Sequence, residues 1–320
     1  MTLPVTLPAS WYTSDELLGI AKKKIFNKGW HFISPITKFT RDQEDGQRFC
    51  QLDLLENPFF IENSIEDVYQ VNSVEAYYGK HKCLFTGHET DSQVEHVLST
   101  LARASTHVTK SGLLFVCHES SPPDFNAFFG NQLDQFIEGK DFRSIAHRRK
   151  LSYECDYGFL TFIDGYQECL HCAYTHPGLA KAYCMDFYKV ETYTNFCRHL
   201  ADSNEKAGED DTEAPDPGLF IYFFPTCALN FYAGGMGVFR CCPLTGSKCR
   251  MEFDYFFDGS DEDFEKYYEF ARQVAIEDIE LCEACQKNLE SGIYQVGTLN
   301  PDKEKGVVYY QKLIREKIMV

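Results

Sequence analysis

Residues 164–177, DGYQECLHCAYTHP, gather Glu168, His171 and His176 into fewer than three turns of helix. A neutral imidazole offers one nitrogen to a metal while its other nitrogen donates to a neighbouring group. Two histidines five residues apart stand about 140° apart on a regular helix, so they meet at one ion only if the helix ends or bends between them. Pro177 marks such a break. Glu168 lies one turn before His171 on the same face. The apolar approach through Leu160, Phe162 and Ile163 carries the group inward. A His-x4-His pair alone is a common coincidence, and a metal site needs a further ligand from a distant element.

That ligand is sought on the longest helical pattern of the chain. Ser260-Asp-Glu-Asp263 has the form of a capping box, and the pattern runs to about Ser291, before Gly292. Phe264, Tyr267, Ala271, Val274, Asp278, Leu281 and Cys285 recur at alternating three- and four-residue steps, the inward stripe of a packed helix. Asp278 is the misfit, because a carboxylate there needs a metal or a basic partner. Glu277 and Glu280 fall off the stripe, toward solvent. Two histidines and one carboxylate on one face of an ion, with other positions open, is the ligand set of non-haem Fe(II) oxygenases. A buried Asp278 paired with a basic residue is the other reading.

A formal net charge of −17 disfavours nucleic acid and anionic membrane as partners and favours a small-molecule substrate. The first residues lack a basic and apolar leader, and no stretch is long enough to span a bilayer, so a soluble, cytoplasmic protein is expected. The 14 cysteines are scattered and expected to be mostly reduced. Cys169 and Cys172, either side of His171, and Cys282 and Cys285 are read as residues of helical segments without a metal or redox role.

Along the chain, TSDELLGIAKKKIFNKG predicts a helix from Thr13, with Thr13 and Glu16 in capping-box spacing. Short β-like runs follow to about Glu119; His81, Cys83, His88 and His96 there lack paired metal-ligand spacing. The acidic run between Ala201 and Pro217 reads as a solvated loop. Leu219 to Tyr232, Met236 to Leu244 and Lys248 to Phe257 predict an antiparallel meander. Its apolar face, with Phe224, Leu229, Phe231 and Phe239, is the candidate substrate pocket.

Five stretches, LPASWYTSDELL, THVTKSGLLFV, IDGYQECLHCAYTHPGL, FFPTCALNFYAGGMGVFR and VAIEDIELCEACQKNLESGIYQVGTLNP, resemble the α subunits of Rieske-type ring-hydroxylating and choline- or carnitine-type monooxygenases, particularly fungal members. The resemblance implies an α+β chain whose catalytic domain is a helix-grip fold, an antiparallel sheet on a long C-terminal helix. It implies that His171, His176 and Asp278 bind one mononuclear Fe(II), and that Glu168 matches the acidic residue bridging toward the Rieske cluster of a neighbouring subunit. A homo-oligomer, a trimer by family habit, is expected. The implied division is an N-terminal helical segment over 1–38, a degenerate, shortened Rieske-like β domain over 39–120, and the catalytic iron domain over 121–320.

The family holds its [2Fe-2S] cluster with a Cys-x-His unit and a Cys-x2-His unit. Neither stands in residues 39–120, where the chain reads NSVEAYYGKHKCLFTGHETDSQ. Gly165, Leu170 and Thr226 also depart from the family pattern. The expectation is an O2-dependent Fe(II) oxidoreductase acting on an aromatic or amine substrate without a cluster, with Glu168 and Asp164 as candidate catalytic carboxylates. The alternatives are a non-redox hydrolase, lyase or isomerase using the metal as Lewis acid, and a non-catalytic subunit.

Overall fold

The computed structural model describes residues 3–40, 49–54, 58–71, 73–79, 91–203 and 218–319. The run carrying His81, Cys83 and His88 and most of the acidic run before Pro217 lie outside these residues. Two compact units result, Phe26–His147 and a second that joins Met1–Ile25 to Arg148–Val320. The expected boundaries at 38 and 120 therefore both move. The first helix, α1 (Asp15–Lys24), belongs with the C-terminal part: Lys24 Nζ donates to the Ile318 carbonyl at 3.0 Å, and Val5 bridges Thr298. Its cap is Ser14, which accepts from Leu17 N, and a 3-10 turn over Ala9–Thr13 occupies the predicted start.

Residues just after α1 already form a strand of the other unit. There β1 (His31–Pro35) pairs with β7 (Leu113–Cys117), which pairs with β6 (Ser105–Val108). A second sheet has the order β2 (Phe49–Leu52), β3 (Phe59–Glu62), β4 (Ala76–Tyr78), β5 (Ala102–Arg103). Helices α2 (Asp91–Thr100), α3 (Phe125–Phe128) and α4 (Asp134–Ile137) complete the unit, and Trp30 Nε1 ties its ends by donating to the Pro123 carbonyl at 2.8 Å.

The larger unit is built on a seven-stranded sheet. Its strands are β8 (Ala146–Cys155), β9 (Tyr183–Thr192), β10 (Phe196–Ser203), β11 (Leu219–Phe223), β12 (Cys227–Tyr232), β13 (Gly235–Thr245) and β14 (Lys248–Phe257), in the order β8-β14-β13-β12-β11-β10-β9. From β9 to β14 every neighbouring pair is antiparallel. The predicted first strand of the meander is two strands, because the chain turns at Phe224-Pro225-Thr226, where proline has no N–H to give a sheet. The turn sets the side-chain parity: Phe220 pairs with Asn230 and Ala228 with Phe239, whereas Leu229 pairs with Val238 and Phe231 with Met236 on the opposite face.

Between β8 and β9 lie α5 (Phe159–Tyr166), α6 (Cys172–Thr175) and α7 (Pro177–Ala182); after β14 come α8 (Asp261–Glu290) and α9 (Lys305–Met319). As the sequence pattern predicts, Ser260 caps α8 by accepting from Asp263 N at 3.2 Å, and Gly292 at φ 73° follows its end. Helix α8 lies close on the sheet because Gly235 has no side chain; a Cβ there would stand 2.6 Å from the Tyr267 ring.

The buried face of α8 drifts. Phe264 and Tyr267 are buried as expected, but Leu281 is 38% exposed and Cys285 is exposed, while Cys282, Gln286 and Leu289 are buried instead. Three- and four-residue steps in strict alternation follow a 3.5-residue repeat, and a helix of 3.6 residues per turn rotates about 20° per heptad against it. Over three heptads the inward stripe has moved on by one position.

Candidate metal centre

The two histidines are brought together by the break the sequence predicts. His171 stands at the start of α6, and His176 sits at the junction of α6 and α7 with φ −117° and ψ 75°, outside helical geometry, with Pro177 opening α7. The third group arrives from α8. Asp278 Oδ1 lies 3.0 Å from His176 Nε2 and 3.5 Å from His171 Nε2.

Both remaining imidazole nitrogens are engaged. His171 Nδ1 is 2.6 Å from Glu168 Oε1, and His176 Nδ1 is 2.8 Å from Glu277 Oε2. Each Nδ1–H therefore donates to a carboxylate, and each Nε2 is left for one shared point. Glu168 is fixed in turn by the Leu170 N–H, and Glu277 by Gln273 Nε2 at 2.9 Å. Glu277 falls off the apolar stripe that predicts the inward face of α8, yet it faces His176. The signal that finds it is chemical: a ligating histidine needs a carboxylate or carbonyl on its other nitrogen, and Glu277 adjoins Asp278.

The donor set fits an iron ion. First-row divalent ions hold imidazole nitrogen at about 2.1 Å, so ligand atoms at right angles stand about 3.0 Å apart. The separations from Asp278 Oδ1 to the two nitrogens are of that size. Cys172 Sγ also lies 3.9 Å from His171 Nε2, but it is bonded to Cys169 and has no thiolate to offer. This disulfide corrects the expectation that both cysteines are reduced bystanders; Cys282 and Cys285 are free. Among the described residues the one group of three His, Cys, Asp or Glu donors whose ligand atoms all lie within 4.8 Å of one another is His171, Cys172 and His176, and Asp278 approaches it from α8.

Without a metal the three groups neutralise one another. Burial opposes protonation of His171, but hydrogen bonds to Asp278 and Glu168 outweigh it and lift its pKa to about 9. Burial likewise opposes protonation of His176, and Asp278 raises it overall; burial of Asp278 is outweighed by the two histidines, which lower its pKa. Loading a metal therefore expels protons. Glu277→Gln, which keeps size but removes the carboxylate, is expected to weaken metal affinity by about 10–100-fold, read by competitive chelator titration.

A cavity of about 140 Å³ opens beside the triad, lined by Tyr166, Tyr183, Tyr188, His199, Phe220 and Tyr232 among others. It shares Tyr166, Asn230, Tyr232, Val274 and Asp278 with a second space of about 80 Å³ reaching Phe239 and Phe253. Of the four candidate pocket residues, Phe239 lines this space. Leu229 and Phe231 point to the other face of the sheet, and Phe224 sits in the turn, so the predicted pocket is corrected to the Phe220, Asn230, Tyr232 face. His199 is 4% exposed; burial lowers its pKa to about 3, Tyr188 Oη meets its Nδ1, and its Nε2 has no protein partner.

Glu168 lines the 140 Å³ cavity, whereas Asp164 does not. Asp164 Oδ2 accepts from Tyr12 Oη and from Gln311 Nε2 at 2.8 Å, and Gln311 Oε1 accepts from Leu7 N. It bolts the N-terminal residues to α5 and α9, beside a cavity of about 470 Å³ that shares Gly165, Glu168 and His171 with the one at the triad. Burial raises its pKa to about 7 despite the hydrogen bonds from Tyr12 and Gln311. Between roughly pH 4 and 7 the native carboxyl keeps a proton that the unfolded chain releases, so stability falls as pH rises through this window and levels off above it. Asp164→Asn is expected to flatten that slope, measured as the urea midpoint of variant and parent at pH 5 and pH 7.5.

A two-histidine, one-carboxylate cluster beside an aromatic cavity, on an antiparallel sheet crossed by a long helix, has the donor set of a non-haem iron oxygenase. Residues 142–319 match the ring hydroxylating alpha subunit (catalytic domain) family, and the chain belongs to it. It is accordingly an iron-dependent, oxygenase-like enzyme. The chloroplastic choline monooxygenase of Arabidopsis thaliana is 27% identical over 176 residues, 53% of this chain and 42% of that protein, so this match spans less than half of the plant protein. The carnitine monooxygenase oxygenase subunit of Acinetobacter baumannii is 24% identical over 366 aligned positions, covering 97% of this chain and 94% of that one. Among solved structures, a quaternary ammonium Rieske monooxygenase in complex with an inhibitor superposes with a TM-score of 0.78 at 18% identity, over 98% of this chain and 96% of that one. Naphthalene 1,2-dioxygenase with indole in its active site gives 0.66 at 10%, over 99% and 92%. These likenesses establish the mixed α and β fold of Rieske oxygenases. No helix among the described residues is long and apolar enough to cross a membrane.

Proposed function

We propose that this protein is a mononuclear non-haem Fe(II) oxygenase that oxidises a small organic molecule without a Rieske cluster of its own. The observation that carries the reading is the pairing of a complete iron ligand set, His171, His176 and Asp278, with the lack of any Cys-x-His or Cys-x2-His unit in residues 39–120.

Iron held by the triad supplies the redox chemistry that makes dioxygen an oxidant. The protein's own residues do the rest. Glu168 and Glu277 hold the two imidazoles in the tautomer that presents Nε2. Tyr166 donates to Asn230 Oδ1 at 2.8 Å and keeps the aromatic wall in place. His199, neutral and with Nε2 unpartnered, is the hydrogen-bonding point that orients a substrate.

Charge narrows the substrate. Glu168, Glu277 and Asp278 surround the histidines, a divalent ion cancels two of these three charges, and among the described residues no lysine or arginine lines either space. An acidic substrate would enter without a counter-charge. The 140 Å³ cavity, close to the roughly 150 Å³ that holds a benzene ring, and its aromatic walls suit a flat aromatic or an amine, through ring stacking or cation–π contact. Choline and carnitine, the substrates named for the relatives, differ on this point: only carnitine carries a carboxylate. Assembly as a homo-oligomer, a trimer by family habit, is part of the proposal.

The test is metal analysis, acid-labile sulfide and EPR on anaerobically purified protein. One iron and no labile sulfide per chain is expected; a [2Fe-2S] signal overturns the reading.

A further inference from the structure

Cys169 and Cys172 form a disulfide that brackets the ligand His171, and both line the cavity beside the triad. A bridge between residues three apart restrains little of the unfolded chain compared with a long loop, so stability gives it slight reason to exist. Position gives it a better one. Cys172 Sγ lies 3.9 Å from His171 Nε2, the nitrogen that faces Asp278. Cys169 is the more accessible sulfur and Cys172 is buried. The spacing is Cys-x2-Cys, the form in which a dithiol cycles with its disulfide.

We infer that Cys169 and Cys172 are a two-electron donor to the metal centre, standing where this chain has no cluster of its own; the inference rests on the cluster-free reading above. In the reduced state the pair gives up two electrons and two protons as the S–S bond forms. With a substrate RH the balance is RH + O2 + 2 Cys-SH giving ROH + H2O + cystine. With no substrate it is O2 + 2 Cys-SH giving H2O2 + cystine. One oxygen atom enters the substrate C–H bond, the other leaves as water, and both thiol protons go to that water. The pair is then reset by an external dithiol, which attacks Cys169 and expels Cys172 as thiolate before closing its own disulfide. The disulfide seen here is the spent form.

The experiment reduces the protein with a phosphine, removes the reductant anaerobically, loads one equivalent of Fe(II), Zn(II) or no metal, and admits dioxygen. Loss of the two thiols is followed by alkylation and peptide mapping of residues 169–172, and ferric iron by EPR. Thiol loss at this pair at least about ten-fold faster with Fe(II) than with Zn(II) or no metal is expected, because iron activates dioxygen and zinc does not change valence. In Cys169→Ser, which leaves all three ligands in place, ferric signal is expected to accumulate at once, whereas in the parent it is delayed until the pair is spent. Equal thiol loss with iron and zinc, or equal ferric accumulation in variant and parent, overturns the inference. Labile sulfide in the same preparations would instead sink the cluster-free reading, which keeps the two failures apart. A Cys169→Ser protein that binds no iron is replaced by Cys169→Ala under the same criteria.

Discussion

Replacing Asp278 by alanine is expected to leave a folded protein that retains iron weakly and has lost essentially all oxidation of its substrate. Asp278 Oδ1 lies close to both imidazole Nε2 nitrogens, and it is the anion of the set. Two neutral imidazoles alone hold a divalent ion poorly, so at least a 100-fold loss of affinity, about 3 kcal/mol, is the expected size. Asp278→Glu is the sharper companion: it keeps the charge but moves the oxygen by one methylene, and it should recover part of the iron and little of the rate. Iron content after dialysis against a weak chelator, with circular dichroism as the folding control, reads both. Full iron retention in folded Asp278→Ala would remove Asp278 from the ligand set.

Arg240→Met is expected to cost the larger unit about 3–5 kcal/mol, because it removes the guanidinium that two buried carboxylates share, leaving Glu252 with Arg250 Nε at 3.2 Å. Arg240 Nη2 donates to Asp254 Oδ2 at 2.5 Å and to Glu252 Oε2 at 3.3 Å, and all three side chains are essentially shielded from water. Burial pulls the Arg240 pKa down, but Asp254 and Glu252 outweigh it and raise it, so the guanidinium stays charged. The cluster lies on the sheet face away from the cavity, since Arg240 pairs with Glu252 while Phe239 pairs with Phe253. Stability should fall without any change in iron stoichiometry of the folded fraction. Replacing Arg240, Glu252 and Asp254 together by apolar residues should be less damaging than Arg240→Met alone; a larger loss in the triple variant would show that the charges themselves hold the strands.

The convergence of His171, His176 and Asp278 was legible because its logic is local and chemical. Two histidines five residues apart with a proline behind them announce a bent helix, and a lone carboxylate on an apolar stripe announces a partner. Glu277 was not legible, because nothing in a periodic pattern separates a carboxylate aimed at a histidine from one in water. The pocket was misread at Pro225: one strand too few shifted the parity, and Leu229 and Phe231 were assigned the face that Asn230 and Tyr232 occupy. The stripe on α8 held for two heptads and then turned away, a drift that only a real 30-residue helix reveals. The domain boundaries failed because pairing of β1 with β7, and of the N-terminal residues with α9, joins segments far apart in the chain.

His176 and Asp278 are 102 residues apart, and the intervening chain includes five of the seven strands in order from β9 to β13 as well as β14. An ion at their meeting point is therefore a clasp on a long loop, and each equivalent bound to the native state alone adds stability in proportion to the logarithm of its free concentration. A cell short of iron would hold a less durable protein as well as an idle one, so the abundance of this chain would track the metal supply before any of its chemistry is counted.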